Sequence, residues 1–266
     1  MFEPILLEAH NPGPLTGRGN HTYLVTPSTG DGALIDAGVG DPRHLAALDR
    51  VLADRHARLD RVLVTHGHAD HASGAPAIGS AHAATFAKYP WPEEDVRYPV
   101  TWQPLADNDV VTIGDEPLTV LHTPGHSPDH LVFWHEPSRT AFTGDLVVEG
   151  GSVMIYWSRG GNLAQYLAAL ERLRALEPRV LLPAHGPEVA NPAALLTGYL
   201  KHRAQRERQI LIALEAGHAT VQAIAESIYD GLEPALMAAA RENVRAHLEK
   251  LKADGRAVDE QGQWRL

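Results

Sequence analysis

The segment Thr65-His66-Gly67-His68-Ala69-Asp70-His71 places four potential metal ligands within six residues, His66 to His71. A β-branched apolar run, Arg61-Val62-Leu63-Val64-Thr65, leads into it, and Ala72-Ser73-Gly74-Ala75 leads out. This pattern predicts a strand that ends in a ligand-bearing loop and turns into a helix. Imidazole nitrogens and a carboxylate oxygen suit zinc and its neighbours. Four such groups are too many for one tetrahedral ion with an open position, so the crowding points to two ions sharing the loop.

The chain must build a core around that loop. It has 266 residues, 44% hydrophobic and 21% charged, which is ordinary globular composition. There is no cysteine, so any metal is held by His and carboxylates, without thiolates. The start, Met1-Phe2-Glu3-Pro4-Ile5-Leu6-Leu7-Glu8, lacks a basic n-region, and no apolar run reaches the length of a membrane span. The expectation is a cytoplasmic protein with no membrane partner.

The order of elements suggests an α/β fold. Thr22–Thr26 and Ala33–Ile35 read as two strands joined through Pro27–Gly32, followed by an amphipathic helix from Pro42 to about His56. A short helix or turn begins at Ala75–Ile78, and Ala81–Ala83 is a short strand candidate. Residues 86–109 carry Pro90, Pro92, Pro99 and Pro104 with Trp91 and Trp102, and read as an irregular surface insertion near a cleft. Strands resume at Val110–Ile113, Leu118–Leu121, Leu131–Trp134 and Thr140–Thr143. A helix spans Asn162–Leu176 with an Asn cap, and Arg179–Leu182 is a further strand. Short strands with helices between them predict two sheets with helices packed outside.

The tail has a different pattern. Helices are expected from Pro192 to about Ala216, over Thr220–Tyr229 and over Pro234–Ala253. A hairpin then pairs Gly255–Val258 with Gln263–Leu266 around Asp259–Gly262. Three helices and a hairpin make the winged-helix pattern. The expected division is 1–198 for the catalytic unit and 199–266 for the tail. The net charge of −10 sits entirely in residues 1–200, with 13 basic and 23 acidic side chains; residues 201–266 hold 10 of each. A neutral tail favours homodimerisation or closure over the site above nucleic-acid binding.

Three further places end a strand in a ligand beside a glycine: Pro124-Gly125-His126, Thr143-Gly144-Asp145 and Ala184-His185-Gly186. A glycine lets the backbone turn sharply there. With the opening loop they give five His and two Asp, a set suited to two divalent ions.

These motifs, with Leu34-Ile35-Asp36-Ala37-Gly38 upstream, resemble the metallo-β-lactamase superfamily over roughly residues 1–200. The resemblance implies an αββα sandwich with the site along one edge. It implies that His66, His68 and His126 hold one metal, that Asp70, His71 and His185 hold a second, and that Asp145 bridges them. Two Zn²⁺ per chain are expected, with Mn²⁺ or Fe as alternatives. The subclasses with a Cys ligand do not fit, because the chain has none. A narrower resemblance, to the β-lactamase-like protein 2 family, rests on Leu15-Thr16-Gly17, Thr123–His130, Leu182–Pro187 and the winged-helix-like tail. That family includes endoribonucleases acting on single-stranded RNA. Where it usually has Asn-Thr-Tyr-Leu-Val, this chain has His21-Thr22-Tyr23-Leu24-Val25. Glyoxalase II shares mostly the general metal motifs.

The chemistry expected is hydrolysis by a hydroxide between the ions, with Asp70 orienting it and taking a proton. Two dications, two carboxylates and a hydroxide leave a formal charge of about +1, which attracts an anionic substrate. Asp36 is the expected acceptor for the outer N–H of a ligand His. His130 and Tyr156 are expected to touch substrate or support the ligands. Trp91, Trp102 and Trp157 either stack on substrate or pack under loops. The substrate is open between a small ester, thioester or lactone, a phosphodiester, and single-stranded RNA. A mononuclear iron enzyme of the persulfide-dioxygenase kind would need only His66, His68 or His126 and Asp145. Retention of Asp70, His71 and His185 argues against it.

Overall fold

The computed structural model describes residues 2–13, 16–27 and 31–266. Leu15 and the middle of the Pro27–Gly32 connection lie outside these residues. The first half runs β1 (Ile5–Glu8), β2 (His21–Val25), β3 (Gly32–Ile35), α1 (Pro42–Asp54), β4 (Leu59–Leu63), α2 (Ala69–Ala72), α3 (Ala75–Ala81), β5 (Thr85–Lys88), α4 (Pro92–Asp95) and β6 (Trp102–Pro104). The second half runs β7 (Val110–Ile113), β8 (Glu116–His122), β9 (Leu131–His135), β10 (Thr140–Gly144), α5 (Leu163–Ala175), β11 (Val180–Pro183), α6 (Pro192–Glu215), α7 (Val221–Ile228), α8 (Met237–Ala253), β12 (Val258–Glu260) and β13 (Gln263–Arg265).

The strands form a six-stranded sheet in the order β1-β2-β3-β4-β5-β6 and a five-stranded sheet in the order β11-β10-β9-β8-β7. Strands β1 to β3 pair antiparallel, and β3 to β6 pair parallel. In the second sheet β7 to β10 pair antiparallel, and β10 pairs parallel with β11.

The period-two alternation of each strand sorts its side chains between two layers. Tyr23, Val25, Ala33, Ile35 and Leu63 meet Val120, Phe133, Phe142 and Leu182 between the sheets. Their neighbours Leu24, Leu34 and Val62 face the other way, onto Leu48 and Leu52 of α1 and Ile78 of α3. On the far side Leu121, Val132, Trp134, Ala141 and Leu181 meet Leu163, Tyr166, Leu170 and Leu173 of α5 and Leu196 and Tyr199 of α6. The result is helix, sheet, sheet, helix.

Two local expectations need correction. Ala81–Ala83 is not a strand: α3 continues to Ala81, and the strand begins at Thr85. Residues 86–109 are not an irregular insertion, because β5 and β6 pair as the edge of the first sheet around the single turn of α4. Of the prolines that suggested irregularity, Pro92 sits at the first turn of α4 and Pro104 at the end of edge strand β6, where a missing N–H costs little, and Pro90 and Pro99 lie in the connections.

Helix α6 runs unbroken across the 198/199 division and carries the chain into the tail. There Ile210, Leu214, Ile224, Val244, Leu248, Leu251 and Trp264 build a separate core. The terminal hairpin is tighter than expected. Glu260 pairs with Gln263, so the turn is only Gln261-Gly262, and both residues have positive φ, 54° and 86°. That is the geometry a two-residue hairpin requires.

His247 on α8 is wholly buried, and among the described residues neither ring nitrogen has a hydrogen-bond partner. Burial, aided by the positive charges of Arg203, Arg206 and Lys250 and by His202, pushes its pKa down from 6.5 to about 3. The unfolded chain therefore takes up this proton below about 6.5 while the folded chain does not. Stability held at neutral pH is lost as pH falls through that window. His247→Leu should remove this part of the slope. In urea unfolding, the variant should gain on the parent between about pH 7 and about pH 5. An identical stability difference at both values would refute this reading of His247.

Candidate metal centre

The candidate ligands follow the C-terminal ends of strands β4, β8, β10 and β11, and Asp36 follows β3. Strands β3 and β4 run parallel in one sheet. In the other, β8, β10 and β11 share one direction. Both sheets thus present their carboxyl ends at one edge, and residues distant in sequence meet there.

His66, His68 and His126 form one group and Asp70, His71 and His185 another, with His71 and Asp145 also grouped with His66. His66 Nε2 lies 2.9 Å from His68 Nδ1, and His126 Nε2 lies 3.1 Å from the same atom. Asp70 Oδ2 lies 3.6 Å from His71 Nε2 and 3.5 Å from His185 Nε2. Asp145 stands between the groups and divides its oxygens. Oδ2 faces His126 at 3.5 Å, and Oδ1 faces His185 at 3.2 Å and His71 at 3.5 Å.

Glycine is needed where two of these loops turn. Gly144 has φ 47°, and a Cβ there would stand 2.8 Å from Thr65 and 2.9 Å from His130 Nε2. Gly125 has φ 140°, and a Cβ there would stand 2.3 Å from the Tyr166 backbone nitrogen. Neither position admits a side chain.

The outer nitrogens of His66, His71 and His126 are occupied, which aims their inner ones. His71 Nδ1 donates to Asp36 Oδ2 at 2.8 Å. Asp36 itself sits at φ 64° and also accepts from the backbone N–H and hydroxyl of Thr65. His126 Nδ1 donates to the Met154 carbonyl at 2.9 Å. His66 Nδ1 lies 3.1 Å from the Thr65 hydroxyl. His130 is wholly buried away from the cavity. Its Nε2 accepts the Asp145 backbone N–H at 3.1 Å, and its Nδ1 meets the Thr123 hydroxyl at 2.8 Å. Tyr156 by contrast lines the cavity.

This arrangement fits metal ions. Burial, with neighbouring His71, holds His66 neutral well below its usual range, and burial with His126 pushes His68 down to about 3. Their inner nitrogens therefore converge as lone pairs. Ligands about 2.0–2.1 Å from a tetrahedral ion stand about 3.3 Å apart, close to the spacings here. In the second group burial opposes charge on His71, but Asp36, Asp70 and Asp145 outweigh it and raise its pKa well above the usual range. Burial likewise opposes charge on His185, yet the carboxylates of Asp145 at 3.2 Å and Asp70 at 3.5 Å push it up to about 9. The second group thus calls for positive charge. His71 Nε2 and Asp145 Oδ1 are buried with no hydrogen-bond partner among the described residues, as unfilled ligand atoms would be.

A cavity of about 360 Å³ opens over this centre. Val147, Val148, Val153, Met154 and Tyr156 supply an apolar wall, and Arg159 brings positive charge, while Arg97 is paired with Glu94, which also lines the cavity. Of the tryptophans, Trp102 packs against the core around Phe86, and Trp157 lies against Arg245 of α8.

Three supporting residues escaped the sequence reading. Asn20 is wholly buried and donates to the Asp70 backbone carbonyl. Asp129 accepts the Gly67 N–H at 2.8 Å and the Ser127 hydroxyl at 2.9 Å, tying the loop of His66 and His68 to that of His126. Lys88, 1% exposed, stands 2.9 Å from Asp129 and bonds Asp95 of α4, which holds the segment bearing Arg97 over the cavity. Lys88 in a short strand resembles any exposed lysine, and its partners are distant in sequence. Lys88→Met leaves two carboxylates without their cation and should cost about 3–5 kcal/mol in urea unfolding. Adding Asp129→Asn should recover part of that loss; a single variant as stable as the parent would rule out the buried pair.

Residues 15–185 match the family model of the metallo-beta-lactamase superfamily, and residues 220–264 match the beta-lactamase associated winged helix domain. The beta-lactamase-like protein 2 homolog of Drosophila melanogaster is 32% identical over 262 residues, covering 92% of this chain and 86% of that protein. An atrochrysone carboxyl ACP thioesterase of Cryptosporiopsis is 32% identical over 206 residues, covering 77% of this chain and 61% of that one. Among solved structures, a metallo-beta-lactamase family protein of Thermus thermophilus superposes with a TM-score of 0.81 at 23% identity, covering 98% of each chain. TTHA1623 in a di-iron-bound form is 28% identical with a TM-score of 0.58, covering 74% of this chain and 98% of its own. With a family model matched over most of its length and the αββα layers carrying the His and Asp cluster at their edge, the chain belongs to the metallo-beta-lactamase superfamily of hydrolases and bears the winged helix domain associated with it.

Proposed function

We propose that this chain is a two-metal hydrolase of acyl esters or thioesters. In this reading His66, His68 and His126 hold one ion, Asp70, His71 and His185 hold the other, and Asp145 serves both. The observation that carries it is the division of the Asp145 carboxylate, one oxygen toward each group. Zinc suits the nitrogen and oxygen donors, and a di-iron-bound relative makes iron the alternative. When bound, such ions lower the pKa of water to about 7 and polarise the substrate oxygen.

The chain's own residues do the rest. Burial raises the Asp70 pKa, but His71 and the nearby His185 ring outweigh it and lower it, so Asp70 stays ionised. Its carboxylate lines the cavity, where it orients the attacking water and accepts its proton. Asn20 fixes the backbone of Asp70. The apolar wall suits an acyl chain, and Arg159 favours an anionic group elsewhere on the substrate. The thioesterase named among the relatives supports the acyl reading over a phosphodiester.

A panel of acyl-CoA thioesters, p-nitrophenyl esters, lactones and labelled single-stranded RNA tests this, using protein of known metal content. Acyl substrates should turn over, and Asp70→Ala should lower kcat by about 10²–10⁴-fold with an unchanged circular dichroism spectrum. Chelator-sensitive cleavage of the RNA with no acyl turnover would overturn the acyl assignment. Undiminished Asp70→Ala activity would overturn the role of Asp70.

A further inference from the structure

Arg203 of α6 is 1% exposed. A buried guanidinium is costly unless its N–H groups are placed, and here both terminal nitrogens are placed across a junction, while Nε has no partner among the described residues. One arm donates to Asn243 Oδ1 of α8 at 2.8 Å, and the other donates to the Val153 carbonyl. Its charged centre lies 5.3 Å from the ring of Tyr166 on α5. Asn243 in turn donates to the Tyr229 hydroxyl at 2.8 Å. A single side chain thus joins the catalytic layers, the winged helix and the segment at Val153.

Two more contacts bind the winged helix to that segment. The Ser158 N–H donates to Glu242 Oε2 at 3.1 Å. The Arg245 guanidinium lies 4.6 Å from the Trp157 ring and 5.1 Å from Trp264, which is in the winged-helix core. The same segment reaches the metal centre from its other side. Met154 accepts the His126 Nδ1–H, and Val153, Met154, Tyr156 and Arg159 line the cavity.

Helix α8 is accordingly occupied. From Glu242 to Leu251 every residue is buried or half-buried. Val244, Leu248 and Leu251 face the tail's own core, while Ala246 packs into the core of the catalytic layers. In a nucleic-acid-binding helix-turn-helix the corresponding helix would lie in a groove. Here it lies against the wall of a cavity.

We propose that the winged helix is a specificity element for the catalytic cavity, and that Arg203 and Glu242 are positioning residues that hold the wall Val153–Arg159. The proposal takes the cavity as the site of turnover, but its first test does not depend on that reading. Hydrogen exchange is followed over residues 152–159 in the full-length parent, in Arg203→Met and in Glu242→Ala. Exchange there should quicken about tenfold or more in both variants, with residues 220–264 unchanged in Glu242→Ala. Among the described residues Ser158 is the hydrogen-bond partner of Glu242, so Glu242→Ala decides the matter even if Arg203→Met fails to fold. Unchanged exchange over 152–159 in Glu242→Ala overturns the coupling.

The second readout is kinetic, on acyl-CoA substrates of increasing chain length. In Glu242→Ala, KM should rise several-fold more for long chains than for acetyl-CoA, with kcat changed less. A loosened wall with KM unchanged for every chain length overturns the specificity role. If the parent turns over none of these substrates, the acyl reading fails, and the exchange result still stands or falls by itself.

Discussion

The structure depends on one electrostatic demand. Asp36, Asp70 and Asp145 converge on the buried ring of His71, with His185 alongside and the lone pairs of His66 and His68 close by. Such a gathering of acceptors in a low-dielectric site is unfavourable unless cations sit among them. Without metal, protons held on His71 and His185 meet part of the demand. Metal ions would meet more of it, and the rings of His66, His71 and His126 are turned toward the cluster by a hydroxyl and acceptors on their outer sides. Asp36 and the Met154 carbonyl are accordingly as much part of the centre as the atoms that face it.

The surrounding fold can be read as what keeps that gathering in place. Two parallel-ended sheet edges deliver the loops, and glycines at 125 and 144 let them turn without colliding with Tyr166 and Thr65. Asp129 then joins the loops across the cleft, and buried Lys88 balances Asp129 and Asp95 together. The wall of the cavity is held from the opposite side by Arg203. Both devices use one buried cation to fix several otherwise independent segments.

Much of this was legible in the sequence. The apolar runs Thr22–Thr26 and Ala33–Ile35 read as strands, and the ligand motifs are local in the chain. The His66–His71 loop, with its strand before and its turn of helix after, follows directly from the residues. Lys88, Asn20 and Arg203 were not legible. Each is a common polar residue whose role is fixed by a partner distant in the chain, and nothing local marks it as buried. Strand β6 was obscured for another reason: a short edge strand tolerates proline and carries little alternation, so Trp102-Gln103-Pro104 reads as loop. Zero net charge in the tail disfavours a polyanion-binding patch, yet it could not show that α8 packs against the catalytic layers.

Elemental analysis of the purified full-length chain, with metal content set against protein concentration, tests the central claim most directly. The account requires two divalent ions per chain in the parent, falling to about one when His185→Ala removes a ligand from the second group while the first stays intact. One ion per chain in the parent, or two retained in His185→Ala, would contradict it.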